Sequence, residues 1–400
     1  MTRRIYLDNA ATTNVFPEVV DAMIPYFLED YGNPSSLYQF GQQAKAAVAD
    51  ARERIAAQLG ATPEEIYFTA CGTESDNWAL KATAEAYRDK GCHIITSSIE
   101  HHAVSHSTEW LEEQGFKVSY LPVDGDGLVD PADLESAIRT DTILVSIIHG
   151  NNEIGTIQPI KELAAIAHQH GALFHTDAVQ TVAHVPINVV DLGVDMLSAS
   201  AHKFHGPKGV GFLYIRKGVK VRSFIHGGAQ ERKRRAGTEN VPSIVGMAKA
   251  LDLCMSSFDQ RIAYELELRD YLIDRILAEV DHVRLNGHRS LRLPNNTNFS
   301  FEFVEGESLL LSLEQKGILG SSGSACASGS LDPSHVLLAI GLPHEIAHGS
   351  LRLTLGEETT REDIDYTVEA VKEVVTSLRK MSPLYEDFLQ GKKALSAVKQ

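Results

Sequence analysis

Residues 65–98 read EIYFTACGTESDNWALKATAEAYRDKGCHIITSS, and the alternation inside this stretch decides the fold. EIYFTA (65–70) and HIITSS (93–98) are short apolar runs, and WALKATAEAY (78–87) between them has the length of a helix. Strand, helix and strand in that order form a crossover unit, the connection that places two strands in parallel. The pattern continues through FKVSYLPV (116–123), TILVSIIHG (142–150), ALFHTDAV (172–179), VDMLSASAHKF (194–204) and GVGFLYI (209–215). The seven runs predict an α/β fold whose mostly parallel seven-stranded sheet is covered by helices. In such sheets ligands collect at the carboxyl ends of the strands.

Upstream, FPEVVDAMIPYFLEDYG (16–32) spaces Phe16, Val19, Val20, Met23, Ile24 and Phe27 as one face of a helix, and AKAAVADARERIAAQLG (44–60) does the same with Val48, Ala51 and Ile55. Both end at glycine, as helices often do. Near residue 256 the texture changes. RIAYELELRDYLIDRILAEV (261–280) is a charged amphipathic helix, NNTNFSFEFV (295–304) and SLRLTLG (350–356) read as strands, and Ile364, Val368, Val371, Val375 and Leu378 mark one face of a closing helix. The expected division is residues 1–14 as a segment joining the small domain, 15–255 as a large domain and 256–400 as a smaller α+β domain.

With 37 basic and 53 acidic residues the formal charge is −16, which disfavours adhesion to nucleic acid or anionic lipid. No window reaches eighteen uninterrupted apolar residues and no signal peptide is visible, so a cytoplasmic, membrane-free protein is expected. Cys71, Cys92, Cys254 and Cys326 are scattered without a C-x-x-C pair. Neither a disulfide framework nor a closed zinc site is signalled.

Polar residues gather at three predicted strand ends. ALFHTDAVQ delivers Asp177 and Gln180, VDMLSASAHKF delivers Ser200, His202 and Lys203, and EIYFTA runs into Gly72 and Thr73 at a helix start. Asp177 with Lys203 alone reads as an ion pair. A helix N-terminus beside them adds backbone amides and a dipole suited to phosphate. Phosphate cradle, lysine and carboxylate together match the needs of pyridoxal phosphate, with Lys203 forming the Schiff base and Asp177 holding the pyridine nitrogen protonated. IEHHAVSH adds a histidine for the ring face, and HGNNEIG adds Asn152 as a donor to the phenolic oxygen.

YLDNAATT, GNPSS, CGTESDN, EHHAV, NNEIG, HTDAVQ, SASAHKFHGPKG, RRAGTEN, SSGSAC and SLRLTLG, in that order from about residue 5 to about residue 375, resemble the cysteine desulfurases of the NifS/IscS type. These are fold-type I pyridoxal-phosphate enzymes of the class-V aminotransferase family, and SSGSAC resembles their group I. The resemblance implies that Lys203 is the Schiff-base lysine, Asp177 the partner of the pyridine nitrogen and His101 the stacking histidine and proton carrier. It likewise implies that Gly72, Thr73, Ser200 and His202 hold the phosphate, and that Asn152 and Gln180 contact the ring oxygen. Thr238 would reach the phosphate of a neighbouring subunit, which implies a homodimer. Arg352, with Asn33 as helper, would hold the carboxylate of L-cysteine. From spacing alone, an arginine in an apolar strand reads as half of a salt bridge. Cys326, in SSGSACASGS (321–330), would take the sulfur as a persulfide and pass it to an iron–sulfur scaffold protein or another acceptor.

The neighbouring alternatives are a selenocysteine lyase or another class-V aminotransferase-like enzyme. Cys71 stands where the family often has Gly or Ser, and is expected to be a small buried residue rather than a second reactive thiol. HEIAH (344–348) matches the H-E-x-x-H pattern of zinc metalloproteases. Its context is poor, because Pro343 precedes it and a predicted strand follows directly, so no metal is expected. The basic run ERKRRAGTEN (231–240) reads as positive charge near a phosphate, not as a stable nucleic-acid contact.

Overall fold

The computed structural model describes residues 4–322 and 333–391. The chain opens on a two-residue strand, Ile5–Tyr6 (β1), and reaches its main sheet after the long helix Gln39–Leu59. That helix stops at Gly60, whose φ of +69° is a left-handed conformation that glycine adopts without strain. The main sheet comprises Ile66–Thr69 (β2), His93–Ser97 (β3), Lys117–Leu121 (β4), Thr142–Ser146 (β5), Leu173–Asp177 (β6), Met196–Ser200 (β7) and Gly211–Ile215 (β8). Their spatial order is β2-β8-β7-β6-β5-β3-β4. Only β8 runs against its neighbours, and the remaining pairs are parallel. The mostly parallel seven-stranded sheet expected from the seven runs is the one that forms.

Alternate residues of a strand face opposite sides, so a sheet buried on both faces needs apolar residues at consecutive positions. Ile94 and Ile95, Leu144 and Val145, Met196 and Leu197, and Phe212 and Leu213 meet that requirement, each pair dividing between two separate cores. On one face Gln39–Leu59 and Val241–Ser256 contribute Val48, Ile55, Ile244 and Leu251. On the other, Trp78, Leu80, Val104 and Leu111 close the core.

The remainder of the chain builds a third core. Val283–Leu285 (β9), Asn296–Phe301 (β10), Ile318–Leu319 (β11) and Ser350–Thr354 (β12) follow in sequence. β10 lies between β12 and β9, antiparallel to both, while β11 pairs in parallel with β1. Helices Phe258–Glu279 and Arg361–Lys380 cover this sheet, with Leu272, Ile276, Ile364, Val368 and Val371 in its core. Ile5 and Leu7 belong to the same core. Among the described residues no helix is long and apolar enough to cross a membrane.

One expectation needs correction. The face of Phe16, Val19, Val20, Met23, Ile24 and Phe27 does not form one continuous buried helix. It breaks into Pro17–Met23 and Pro25–Leu28 because Pro25 has no N–H to donate to the turn before it. Only Val19 is buried, and Phe27 and Leu37 are 58% and 95% exposed.

Leu7 is fully buried, its N–H bonds Leu319 O at 2.8 Å, and its carbonyl accepts from Thr354 N at 2.7 Å. Leu7→Ala is therefore expected to cost about 2–5 kcal/mol, read as a lower midpoint in urea unfolding followed by fluorescence.

Candidate active site

The loops leaving the carboxyl ends of β2, β3, β5, β6 and β7 surround a cavity of about 370 Å3. Gly72, Thr73, His101, Asn152, Asp177, Gln180, Ser200, His202, Lys203 and Arg352 all line it. Asn33 and Thr238 do not. Asn33 accepts from Ser35 N at 2.9 Å in an exposed turn, and Thr238 lines a separate depression with Glu231, Arg235 and Ile244. Cys326 lies outside the described residues.

The helix Gly72–Asn77 begins directly after β2. A Cβ on Gly72 would meet Val179 Cγ2 at 2.6 Å, so glycine is what lets this helix approach the turn after β6. Across from it, Ser200 at the end of β7 has a buried Oγ with no hydrogen-bond partner among the described residues. A buried hydroxyl left unpaired costs free energy unless a ligand satisfies it. Asp177 closes β6 and is almost fully buried, and its Oδ1 accepts from Val179 N at 2.9 Å. Burial pushes its carboxyl up to about 6, against the lowering effects of the Val179 bond and Lys203.

Lys203 Nζ donates to Ala10 O at 2.5 Å and Ala11 O at 2.8 Å. Gln180 Nε2 reaches the same Ala10 carbonyl at 2.9 Å, and His202 Nδ1 lies 3.2 Å from Thr12 Oγ1. The N-terminal segment thus crosses the cavity and meets three of the predicted site residues. His101 caps the helix His102–Glu113, its Nδ1 accepting from Ala103 N at 3.1 Å. Burial, then the charge of Lys203, pushes its imidazole down to about 4. The ring is neutral near pH 7, and with Nδ1 accepting, the proton sits on Nε2.

Arg352, in β12, lies in the cavity wall and is half of a salt bridge. Its side chain is 3% exposed and its Nη2 pairs with Asp8 Oδ1 at 2.9 Å, a salt bridge. Nη1 donates to Asn152 O at 2.7 Å. Nε is buried and has no partner among the described residues, and the residue lines the cavity.

Sequence reasoning missed four acidic residues here: Asp8, Asp76, Glu100 and Glu153. Glu100 accepts from Ser97 Oγ at 2.5 Å and Ile148 N at 2.9 Å, and burial pushes it up to about 8. Glu153 accepts from Ser334 Oγ at 2.5 Å. Burial raises it to about 7, against Ser334 and Arg352. Burial and then the charge of Asp177 raise Asp76 well above the usual carboxylate range, so Asp76 holds the proton and Asp177 the charge. The available signal was an acidic residue immediately after an apolar run, as in SSIE (97–100) or within NNEIG.

Cys71 is half-buried and lines the cavity instead of sitting in a core. Cys254 is the buried thiol, pushed up to about 12 by burial. The HEIAH segment folds as a single turn, His344–Ala347, leading into β12, and Ile346 and Ala347 face a small apolar core. One turn gives the motif no helix on which to present two imidazoles. Among the described residues no group of three or more His, Cys, Asp or Glu is placed to hold a metal ion.

Because Glu100 has a raised folded-state pKa, its contribution to stability is complete below about pH 4.5 and is lost as pH rises through about 8. Glu100→Gln keeps an acceptor for Ser97 and Ile148 but cannot ionise. Between pH 5 and pH 8 its unfolding free energy is expected to gain steadily on the wild type, measured by urea denaturation across that range.

The class-V aminotransferase model matches residues 5–367. Cysteine desulfurase IscS of Methanosarcina thermophila is 59% identical over 382 residues, covering 96% of this chain and 94% of that one. Cysteine desulfurase IscS of Dictyoglomus turgidum is 55% identical over 394 residues, covering 98% and 100%. Among solved structures, a NifS-like protein superposes with a TM-score of 0.88 at 41% identity, covering 94% of this chain and 100% of the other. A NifS-like protein from Rickettsia africae gives 0.85 at 32% identity, with the same coverage. With that fold, and with Lys203, Asp177, His101 and Arg352 around one cavity, the chain belongs to the class-V aminotransferase family, among the cysteine desulfurases of the NifS/IscS type.

Proposed function

We propose that this enzyme removes the sulfur of L-cysteine, releasing L-alanine and leaving a persulfide on Cys326, with pyridoxal 5'-phosphate as cofactor. The observation that carries the reading is one cavity that combines a lysine, a buried carboxylate and two unpartnered buried polar atoms, Ser200 Oγ and Arg352 Nε. The residues present fit the cofactor. Gly72, Thr73, Ser200 and His202 would hold its phosphate, Lys203 would carry it covalently, Asp177 would face its pyridine nitrogen, His101 would lie against its ring, and Asn152 and Gln180 would meet its phenolic oxygen. When bound, pyridoxal phosphate supplies an electron sink for the carbon that loses its proton.

The chain's own residues do the rest. Arg352, in the cavity wall, orients the substrate carboxylate. Lys203 takes the Cα proton. Asp177, kept as the carboxylate because Asp76 holds the proton, maintains a positive charge on the nitrogen it faces. The Cys326 thiolate attacks the substrate sulfur: the S–S bond forms as the C–S bond breaks, and the carbon fragment takes up one proton at Cβ and regains its Cα proton from Lys203 before leaving as alanine. His101, neutral with its proton on Nε2, supplies a donor for the protonation at Cβ. The persulfide then passes to an acceptor thiol, such as that of an iron–sulfur scaffold protein, in the cytoplasm.

A homodimer is part of the proposal. Thr238 stands away from this chain's own cavity, as a residue serving a neighbour must. The apolar face at Val20, Ile24 and Phe27 is left uncovered, and a second subunit would bury it. Sedimentation is expected to give twice 43.8 kDa.

Cys326→Ala is expected to retain the near-violet absorption of the bound cofactor yet form no persulfide, assayed by retention of radiolabelled sulfur on the protein without reductant. Lys203→Ala should lose that absorption and at least about a hundredfold of alanine formation. Wild-type turnover by Cys326→Ala in the presence of a reductant would remove the thiol from the scheme.

A further inference from the structure

We propose that Asp8 sets how tightly the site holds a carboxylate, by competing with the ligand for the Arg352 guanidinium. The inference rests on Arg352 being the carboxylate anchor. A guanidinium buried to 3% exposure requires a counter-charge, and the structure supplies one at 2.9 Å, Asp8 Oδ1. Asp8 is not a loose surface group. Its backbone bridges Thr354, and its carbonyl accepts from Tyr6 Oη at 3.0 Å. Tyr6 Oη also reaches Thr12 O at 2.8 Å, closing the loop on itself. Nη1 is fixed by Asn152 O, Nη2 by Asp8, and Nε remains without a partner.

A carboxylate arriving at the Arg352 guanidinium in the cavity wall therefore meets a cation that already shares its charge with one anion. Two carboxylates on one guanidinium hold each other's affinity down, which lets a carboxylate-bearing product leave. Glu153 is the other carboxyl facing this arginine. It is engaged by Ser334 at 2.5 Å, and burial raises it to about 7, so below that pH it mainly keeps its proton and Asp8 is the competing charge. The segment that carries Asp8 also offers the Ala10 and Ala11 carbonyls to Lys203. An effect specific to the carboxylate thus separates Asp8 from a general disturbance of the segment.

The test is spectrophotometric titration of the cofactor-loaded enzyme at pH 6.5 with L-alanine and with ethylamine, the same amine without its carboxylate. Asp8→Asn keeps an acceptor for Nη2 and removes the charge. It is expected to bind L-alanine about three- to tenfold more tightly, with ethylamine unchanged. Asp8→Glu, which keeps the charge, should stay within about twofold of wild type. If Asp8→Asn fails to load cofactor, Asp8→Ser removes the charge in its place and is read the same way. Unchanged or weaker L-alanine binding in the uncharged variant, or equal tightening of both ligands, overturns the role of Asp8 while leaving Arg352 as the anchor. No response of the wild type to L-alanine would overturn the amino-acid site and this inference with it.

Discussion

An ammonium and a guanidinium set into the wall of a buried cavity cannot stand without compensation, and the arrangement around the site follows from that constraint. The compensation comes from a segment with almost no secondary structure. Residues 8–11 place a carboxylate on Arg352 and two carbonyls on Lys203. To deliver them the chain pairs β1 with β11 beside one sheet, then crosses to the carboxyl ends of the other. There Thr13 bonds His202 O through both its N–H, at 2.9 Å, and its hydroxyl, at 3.0 Å. The two sheets are thus joined across the cavity by the same segment that neutralises its cations.

The other charges at the site are held down by burial. His101 stays neutral, Asp76 and Glu100 are pushed toward their protonated forms, and Glu153 is raised toward neutrality. Asp177 is therefore the carboxylate left to act on a bound group from the floor of the cavity. A low-dielectric site in which few groups are ionised gives each remaining charge a larger effect on a ligand than it would have in water.

Much of this was legible in the sequence. The consecutive apolar pairs of β3, β5, β7 and β8 announce a sheet buried on both faces, and Asp177, Ser200 and Lys203 stand at strand ends where period and composition change together. The closing helix was readable because Ile364, Val368, Val371 and Val375 repeat at helical spacing. Asp8 was not legible, because its partner lies 344 residues away and no local pattern records a contact of that span. The first helical face misled for a related reason. Periodicity shows that a face is apolar, not whether this chain or another covers it, and Pro25 decided where it breaks. The salt bridge that spacing alone suggests for Arg352 is present, and it leaves the residue in the cavity wall.

The join between the first residues and the last strand also imposes an order on biosynthesis. A ribosome releases Ile5, Leu7 and Asp8 long before β11 and β12 exist, and domains tend to fold in the order in which they emerge. During that interval β1 has no strand to pair with, Leu7 has no core to enter and Lys203 has its carbonyls but no tie between the two sheets. Contacts of such sequence separation form late. The cavity wall is thus finished only when the chain is nearly complete, because Arg352 comes from β12, and a nascent or truncated chain, even one with its large sheet folded, lacks that part of it.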